Sequence, residues 1–477
     1  MTEPAAPDVP ASPPIDPAIE AFLAGAREAC LERLLELVRI PSVSALPEHA
    51  ADMRAAADWI AAELRRIGAD DVEVVATELH PIVTGRIHRT PGAPTVLVYC
   101  HYDVQPVDPV DLWETAPFEP FVRDGRIVGR GSSDDKGQLV MHLAAVEAIL
   151  AVRGQLPVNL TFLFEGEEEY GSESLERWIL ANRDRLAADL ALISDTGFFE
   201  GNIPAITVGL RGIMYAQIDV VGPPVDLHSG GYGGVVENPA NALATIIAAL
   251  KGPDGRVRIP GFYDDVATLT DAERDAIAAL PFDAHRLRDE IGVPALVGET
   301  GYTVLERKGA RPTLDVNGIW GGFQGEGAKT IIPAHAHAKV SCRLVANQEP
   351  ERIFELLRDH VARIAPPGVT TTVRYIHGGL PSLTPIDHPA TRAAARALEA
   401  TFGREPVYIR EGGSIPVTSQ FDAVLGVPVV LLGFSQPQSN AHAPNEWLDL
   451  GNFETGTRTI VRLWDELAGL SGGADRA

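Results

Sequence analysis

Four short, almost unbroken apolar runs constrain this chain more than any other feature. TVLVYC (95–100), VNLTFLF (158–164), LALIS (190–194) and VPVVLLGF (427–434) lack the apolar–polar alternation of strands with one wet face. Strands buried on both faces belong to parallel sheets covered by helices. Helix-like stretches separate the runs, among them QLVMHLAAVEAIL (138–150). Met53, Ala57, Ile60, Leu64 and Ile67 recur at helical spacing and stop at Gly68. The fold class is therefore α/β, with a mostly parallel sheet flanked by helices.

The texture changes from about residue 205. ITVGLRGIMYAQIDVVG and HAHAKVSCRLV read as strands with one exposed face, and NALATIIAALKG and ERIFELLRDHVARIA as helices for the other face. The buried-strand signature resumes at 427–434, so the first domain is expected to be discontinuous, 1–209 with 386–477. The inserted segment, 210–385, is expected to be an α+β lid and dimerisation domain. A chain of 477 residues exceeds what one core usually organises, which agrees with two compact units.

Forty basic residues against 65 acidic ones give a net charge of −25, which argues against a nucleic-acid or anionic-membrane surface. No apolar run reaches the roughly 18 residues of a membrane span. The opening MTEPAAPDVPASPPIDP is acidic and proline-rich, lacks the features of a secretory signal, and is read as a disordered lead-in, with cytoplasmic localisation expected. Cys30, Cys100 and Cys342 are widely spaced without a CxxC, so any metal is expected on His and carboxylate ligands.

In open α/β sheets, ligands gather beyond the carboxyl ends of the strands. The first run leads into His101-Tyr102-Asp103, the second into Glu165-Gly166-Glu167-Glu168-Glu169, the third into Asp195, and the fourth, after a loop, to His442. GRGSSDDKG places Asp134 and Asp135 just ahead of a helix. One carboxylate at a strand end is commonly a cap or a solvated charge; nitrogen and oxygen ligands converging from several strand ends suit a pair of divalent cations. His142, on an apolar helix, reads as a packed residue.

The segments CHYDVQP, GRGSSDDKGQ, EGEEEYGS, ISDTG, DLHSGGYGG, GAKTIIP, REGGSIPV and NAHAPNEW resemble, in order, the metallopeptidase family that includes carnosinase, cytosolic nonspecific dipeptidase, carboxypeptidase G, acetylornithine deacetylase and aminoacylase. HYDVQP with the downstream Trp113, together with EGEEEYGS, is most similar to the carnosinase and nonspecific-dipeptidase branch. The resemblance implies metal ligands His101, Asp134, Glu169, Asp195 and His442. Asp134 would bridge two ions, His101 and Asp195 would complete one site, and Glu169 and His442 the other. Zinc is expected, with manganese or cobalt as alternatives. Asp103 would orient His101, Glu168 would be the general base, and the Asp134–Asp135 peptide would be cis. His228 would reach the partner subunit of a homodimer to stabilise the oxyanion, and Arg343 would clamp the substrate carboxylate, helped by Thr330, Gly413 and Ser414.

The implied activity is hydrolysis of dipeptides or short peptides, with deacylation of N-acyl amino acids as the alternative on the same site. A serine hydrolase is disfavoured because EGGSIP places Pro416 where the nucleophile elbow needs glycine. A non-catalytic binding protein has no need of a full ligand set with a base.

Overall fold

The computed structural model describes Ser12 and residues 14–413 and 415–470, which divide into two compact units. The first comprises Met1–Val208, Thr384–Ile409 and Pro416–Ala477; the second comprises Gly209–Leu383 and Arg410–Ile415. Arg410–Ile415, read from sequence as part of the last segment, groups with the second unit. The reason is backbone bonding: Arg211 N–H donates to Gly413 O (3.1 Å), and Arg211 Nε donates to Gly412 O (3.2 Å).

In the first unit the strands run in the order Asp70–Val75, Ile82–Ile87, Asn159–Glu165, Thr95–His101, Leu190–Ile193, Val429–Leu431, Ala205–Leu210. The middle four are parallel, and the flanking strands pair antiparallel. The expectation of a mostly parallel sheet thus holds at the centre, where the continuous apolar runs lie. Asp70–Val75 and Ile82–Ile87 are antiparallel because the short link between them is no crossover, and a parallel pair needs a dozen or more residues. Parallel register sets Thr95 beside Asn159 and His101 beside Glu165, so two polar strand ends finish level.

Helices Pro17–Val38, Lys136–Arg153, Pro389–Phe402 and Leu450–Ala468 join the sheet in one core that includes Leu34, Val98, Met141, Phe162, Leu398 and Trp464. Lys136–Arg153 is buried almost all round, as its apolar sequence requires. Most of the proline-rich lead-in falls outside the described residues. Its last three residues belong to the fold: Ile15 is buried, the Asp16 carboxylate accepts the Ala18 N–H at 2.9 Å, and Pro17 opens the helix, where its missing N–H costs nothing.

The second unit holds a four-stranded antiparallel sheet, Thr313–Gly321, His335–Leu344, Gly212–Val221, Thr370–Gly379. Burial alternates along Gly212–Val221, and its inward Met214, Ala216, Ile218 and Val220 pack with Leu243 and Ile246 of helix Pro239–Leu250 and Leu357 and Val361 of helix Pro350–Ile364. Three short helices, Asp271–Ala278, Ala284–Glu290 and Val304–Ala310, occupy a stretch whose sequence carries no clear period. Among the described residues, no helix is long and apolar enough to cross a membrane.

Candidate metal centre

The carboxyl ends of the parallel strands carry a cluster of charge, buried at His101 and exposed at His442. His101, the last residue of its strand, is fully buried, with Nε2 2.9 Å from Asp134 Oδ1. The other oxygen of Asp134 lies 3.0 Å from His442 Nε2, and His442 Nε2 is 3.2 Å from Glu169 Oε1. One carboxylate therefore spans two imidazoles. Candidate ligand atoms fall into two groups, each within 4.8 Å: His101, Glu168 and Asp195, and Asp134, Glu169 and His442. The Asp134–Asp135 peptide is cis.

The electrostatics follow from packing these groups together. Burial and the neighbouring Asp134 charge push Asp195 up to about 7, and burial with the Asp195 charge raises Glu168 well above the carboxylate range. Hydrogen bonds to Asp134 and Glu169 raise His442 to about 10. Burial opposes a proton on His101, but Asp103, Asp134 and Asp195 overcome it and hold its pKa well above the ordinary value. A buried excess of carboxylates therefore favours bound positive charge. Imidazole nitrogens and carboxylate oxygens are a donor set suited to divalent zinc, manganese or cobalt. The three cysteines are buried, and none belongs to either group.

Asp103 touches both His101 and the turn of Glu168 and Glu169. His101 Nδ1 lies 3.1 Å from its backbone oxygen and 3.4 Å from its Oδ1. The Asp103 carboxylate also accepts the backbone N–H groups of Glu168 (3.2 Å) and Glu169 (3.1 Å), so one side chain holds the histidine and the turn that carries both glutamates. Gln105 Nε2 donates to Glu169 Oε2 at 2.7 Å, leaving Oε1 toward His442. Gln105 sits inside HYDVQP, but nothing in the sequence places it opposite Glu169, 64 residues away. His142 is a core residue: Nε2 lies 2.8 Å from Ser194 Oγ, and burial pushes its pKa down to about 3.

His228, Thr330, Arg343 and Gly413 lie in the second unit. His228 and Thr330 meet through a two-residue ladder in which His228 pairs with Ile331 and Ser229 N–H donates to Thr330 O at 3.1 Å. The exposed His228 accepts the Gly230 N–H on Nδ1 at 2.9 Å. Arg343 pairs with Ile213 and Thr313 in the sheet. Burial and the adjacent Arg343 charge lower Arg211 to about 10, so a second guanidinium that the sequence reading passed over stands near Arg343. Gly413 meets Arg211 through its carbonyl, and Ser414 lies outside the described residues.

Residues 97–466 match the Peptidase family M20/M25/M40. The chain is 37% identical over 460 residues to the Cys-Gly metallodipeptidase dug1 of Schizosaccharomyces pombe, covering 93% of this chain and 97% of that one. It is 32% identical over 395 residues to the human Beta-Ala-His dipeptidase, covering 82% and 78%. Among solved structures, the di-peptidase Dug1p of Saccharomyces cerevisiae superposes with a TM-score of 0.79 at 31% identity, over 95% of this chain and 98% of that one. The resemblance to the carnosinase and nonspecific-dipeptidase branch is borne out. These relatives support metal-dependent dipeptide hydrolysis and do not favour the N-acyl amino acid alternative. With a family match across most of its length, the parallel-sheet α/β fold of its relatives and a hydrolase's array of His and carboxylate groups at the strand ends, the chain belongs to peptidase family M20/M25/M40.

Proposed function

We propose that this chain is a cytoplasmic, homodimeric dipeptidase working with two divalent cations, zinc or alternatively manganese or cobalt. The observation that carries the reading is the Asp134 carboxylate, 2.9 Å from His101 on one oxygen and 3.0 Å from His442 on the other. His101 and Asp195 would complete one site, Glu169 and His442 the other, and Asp134 would belong to both. Cations held there would supply Lewis-acid activation of a water molecule and of the scissile carbonyl.

The chain's own groups do the remaining work. Glu168, with its backbone N–H on Asp103, takes the proton from the attacking water and delivers it to the departing amine. Arg343 binds the substrate's terminal carboxylate, with Thr330, Gly413 and Ser414 as its helpers, and His228 donates to the carbonyl oxygen of substrate held by the partner subunit. The second unit would serve as lid and dimerisation domain. Substrates are small dipeptides; Cys-Gly and β-Ala-His, on which the named relatives act, are the first to try.

The test is hydrolysis of Cys-Gly, β-Ala-His and N-acetyl amino acids after chelator treatment and reloading with zinc, manganese or cobalt. Dipeptide cleavage that vanishes with chelator and returns with metal is expected. Full turnover in excess EDTA, or cleavage of N-acetyl amino acids in preference to every dipeptide, overturns the reading.

A further inference from the structure

Glu446 is fully buried, yet its carboxylate collects four donors. Oε1 accepts the backbone N–H groups of Ser133 (2.9 Å) and Asp134 (3.0 Å). Oε2 accepts the Gly131 N–H (2.8 Å) and Arg130 Nη1 (2.9 Å). Backbone pairing brings it there. Trp447 pairs with Val128 in a small antiparallel sheet, and one step further on, Gly129 N–H donates to Glu446 O at 2.9 Å. The side chain then reaches into the turn running from Gly129 to Asp134. That turn is tight: Gly131 has φ +85°, and a Cβ there would lie 2.6 Å from Val104 Cγ1.

Glu446 also stands four residues after His442, at the foot of the loop that carries it. Trp447 N–H donates to Ser439 O (2.9 Å) and Ala443 N–H to Asn440 O (2.8 Å), and Asn440, His442 and Asn445 all have positive φ. Such a loop holds its shape only where its surroundings determine it. Within it, Asn445 accepts the Glu114 N–H and donates to Leu112 O, so the outer side is fastened separately.

We infer that Glu446 is a positioning residue for the bridging carboxylate: by holding the Ser133 and Asp134 N–H groups it ties the loop of Asp134 to the loop of His442 and presets the cation site they share. The inference rests on the two-metal reading above. Charge-assisted hydrogen bonds of this kind are roughly twice as strong as neutral ones, so the clamp fixes Asp134 before a cation arrives. Arg130 supports the carboxylate from the far side and continues to Pro106 O at 3.2 Å, without touching Asp134.

Glu446→Gln replaces one acceptor oxygen by an NH2 group. The amide oxygen stays with the Arg130 cation, so the NH2 faces the Ser133 and Asp134 N–H groups and releases them. Cation binding to the metal-free protein is titrated with Co2+, following its visible absorption, and stoichiometry after dialysis is read by elemental analysis, alongside thermal melting. Wild type should bind two ions; Glu446→Gln should bind at least one of them, the one shared with His442, at least tenfold more weakly, with an altered cobalt spectrum. Arg130→Lys, which keeps the charge, should lower the melting temperature but hold both affinities within about twofold.

Wild type binding fewer than two ions defeats the two-metal reading itself. Two ions in wild type with unchanged affinities in Glu446→Gln overturn the clamp, as does equal weakening in Arg130→Lys, which would make Glu446 a fold-holding ion pair. If Glu446→Gln does not fold, Glu446→Asp carries the same criterion on a side chain one methylene shorter: threefold or greater weakening of at least one ion supports the clamp, and unchanged binding overturns it.

Discussion

Glu168 and Glu169 are neighbours in the chain with different surroundings. Glu169 is fastened by Gln105 and faces His442, whereas Glu168 lies with His101 and Asp195. Glu168→Gln keeps the shape and cannot accept a proton, so turnover should fall about 10²–10⁴-fold with metal content unchanged. Near-normal turnover in a kinetic assay would move the base elsewhere. Glu165 gives a pH prediction. Burial pushes it up to about 8 from an ordinary 4.5, with Tyr99 OH and Ser172 Oγ donating to Oε1. The folded protein keeps this proton between those values while the unfolded chain gives it up, so the contribution to stability is present below pH 4.5 and lost as pH rises through 8. A pKa difference of one is about 1.4 kcal/mol, so between pH 5 and pH 8 wild type should lose on the order of 4 kcal/mol relative to Glu165→Gln. Parallel urea stability curves for the two proteins across that range would refute this.

At the scale of elements, the contact between helices Lys136–Arg153 and Leu450–Ala468 depends on a small residue. Gly456 lies on the second helix, where a Cβ would stand 2.8 Å from Met141 Sδ and 2.9 Å from Phe434 Cγ. Helix propensity alone favours Gly456→Ala by about 1 kcal/mol. Overpacking costs typically 1–3 kcal/mol, and the Phe434 ring, fully buried, has little room to give. The variant should therefore be less stable by about 1 kcal/mol in urea unfolding; a stabilised variant would show that the helices move apart freely. The apolar runs announced the central strands, because a strand covered on both faces carries few polar residues. The antiparallel flanking strands were less legible, since their direction follows from link length and pairing partner.

For the whole molecule, the proposal with the widest consequence is that His228 acts across subunits. His228→Ala should lower turnover about 10²–10³-fold, the usual loss of one oxyanion contact, with metal content unchanged. Mixing His228→Ala with Glu168→Gln and allowing subunits to exchange would combine an intact His228 from one chain with an intact Glu168 from the other. Activity should return to up to about half of wild type per mixed dimer, as two-fold symmetry allows. Confirmed exchange without returning activity places His228 within its own chain or outside the reaction.

The sequence by itself determined which residues stand at strand ends. His101, the glutamates at 165–169 and Asp195 each follow an apolar run, and chain direction in a parallel sheet puts such residues on one side. It also marked the inserted segment by its change from continuous to alternating apolarity. Tertiary structure alone decided which of these groups face one another: that Asp134 spans His101 and His442, that Gln105 secures Glu169, and that Glu446 grips a turn more than 300 residues before it. Periodicity records only whether a side chain faces core or solvent. A hydrogen bond between distant segments depends on register and loop conformation, and those are set when the strands pair and the core closes around them.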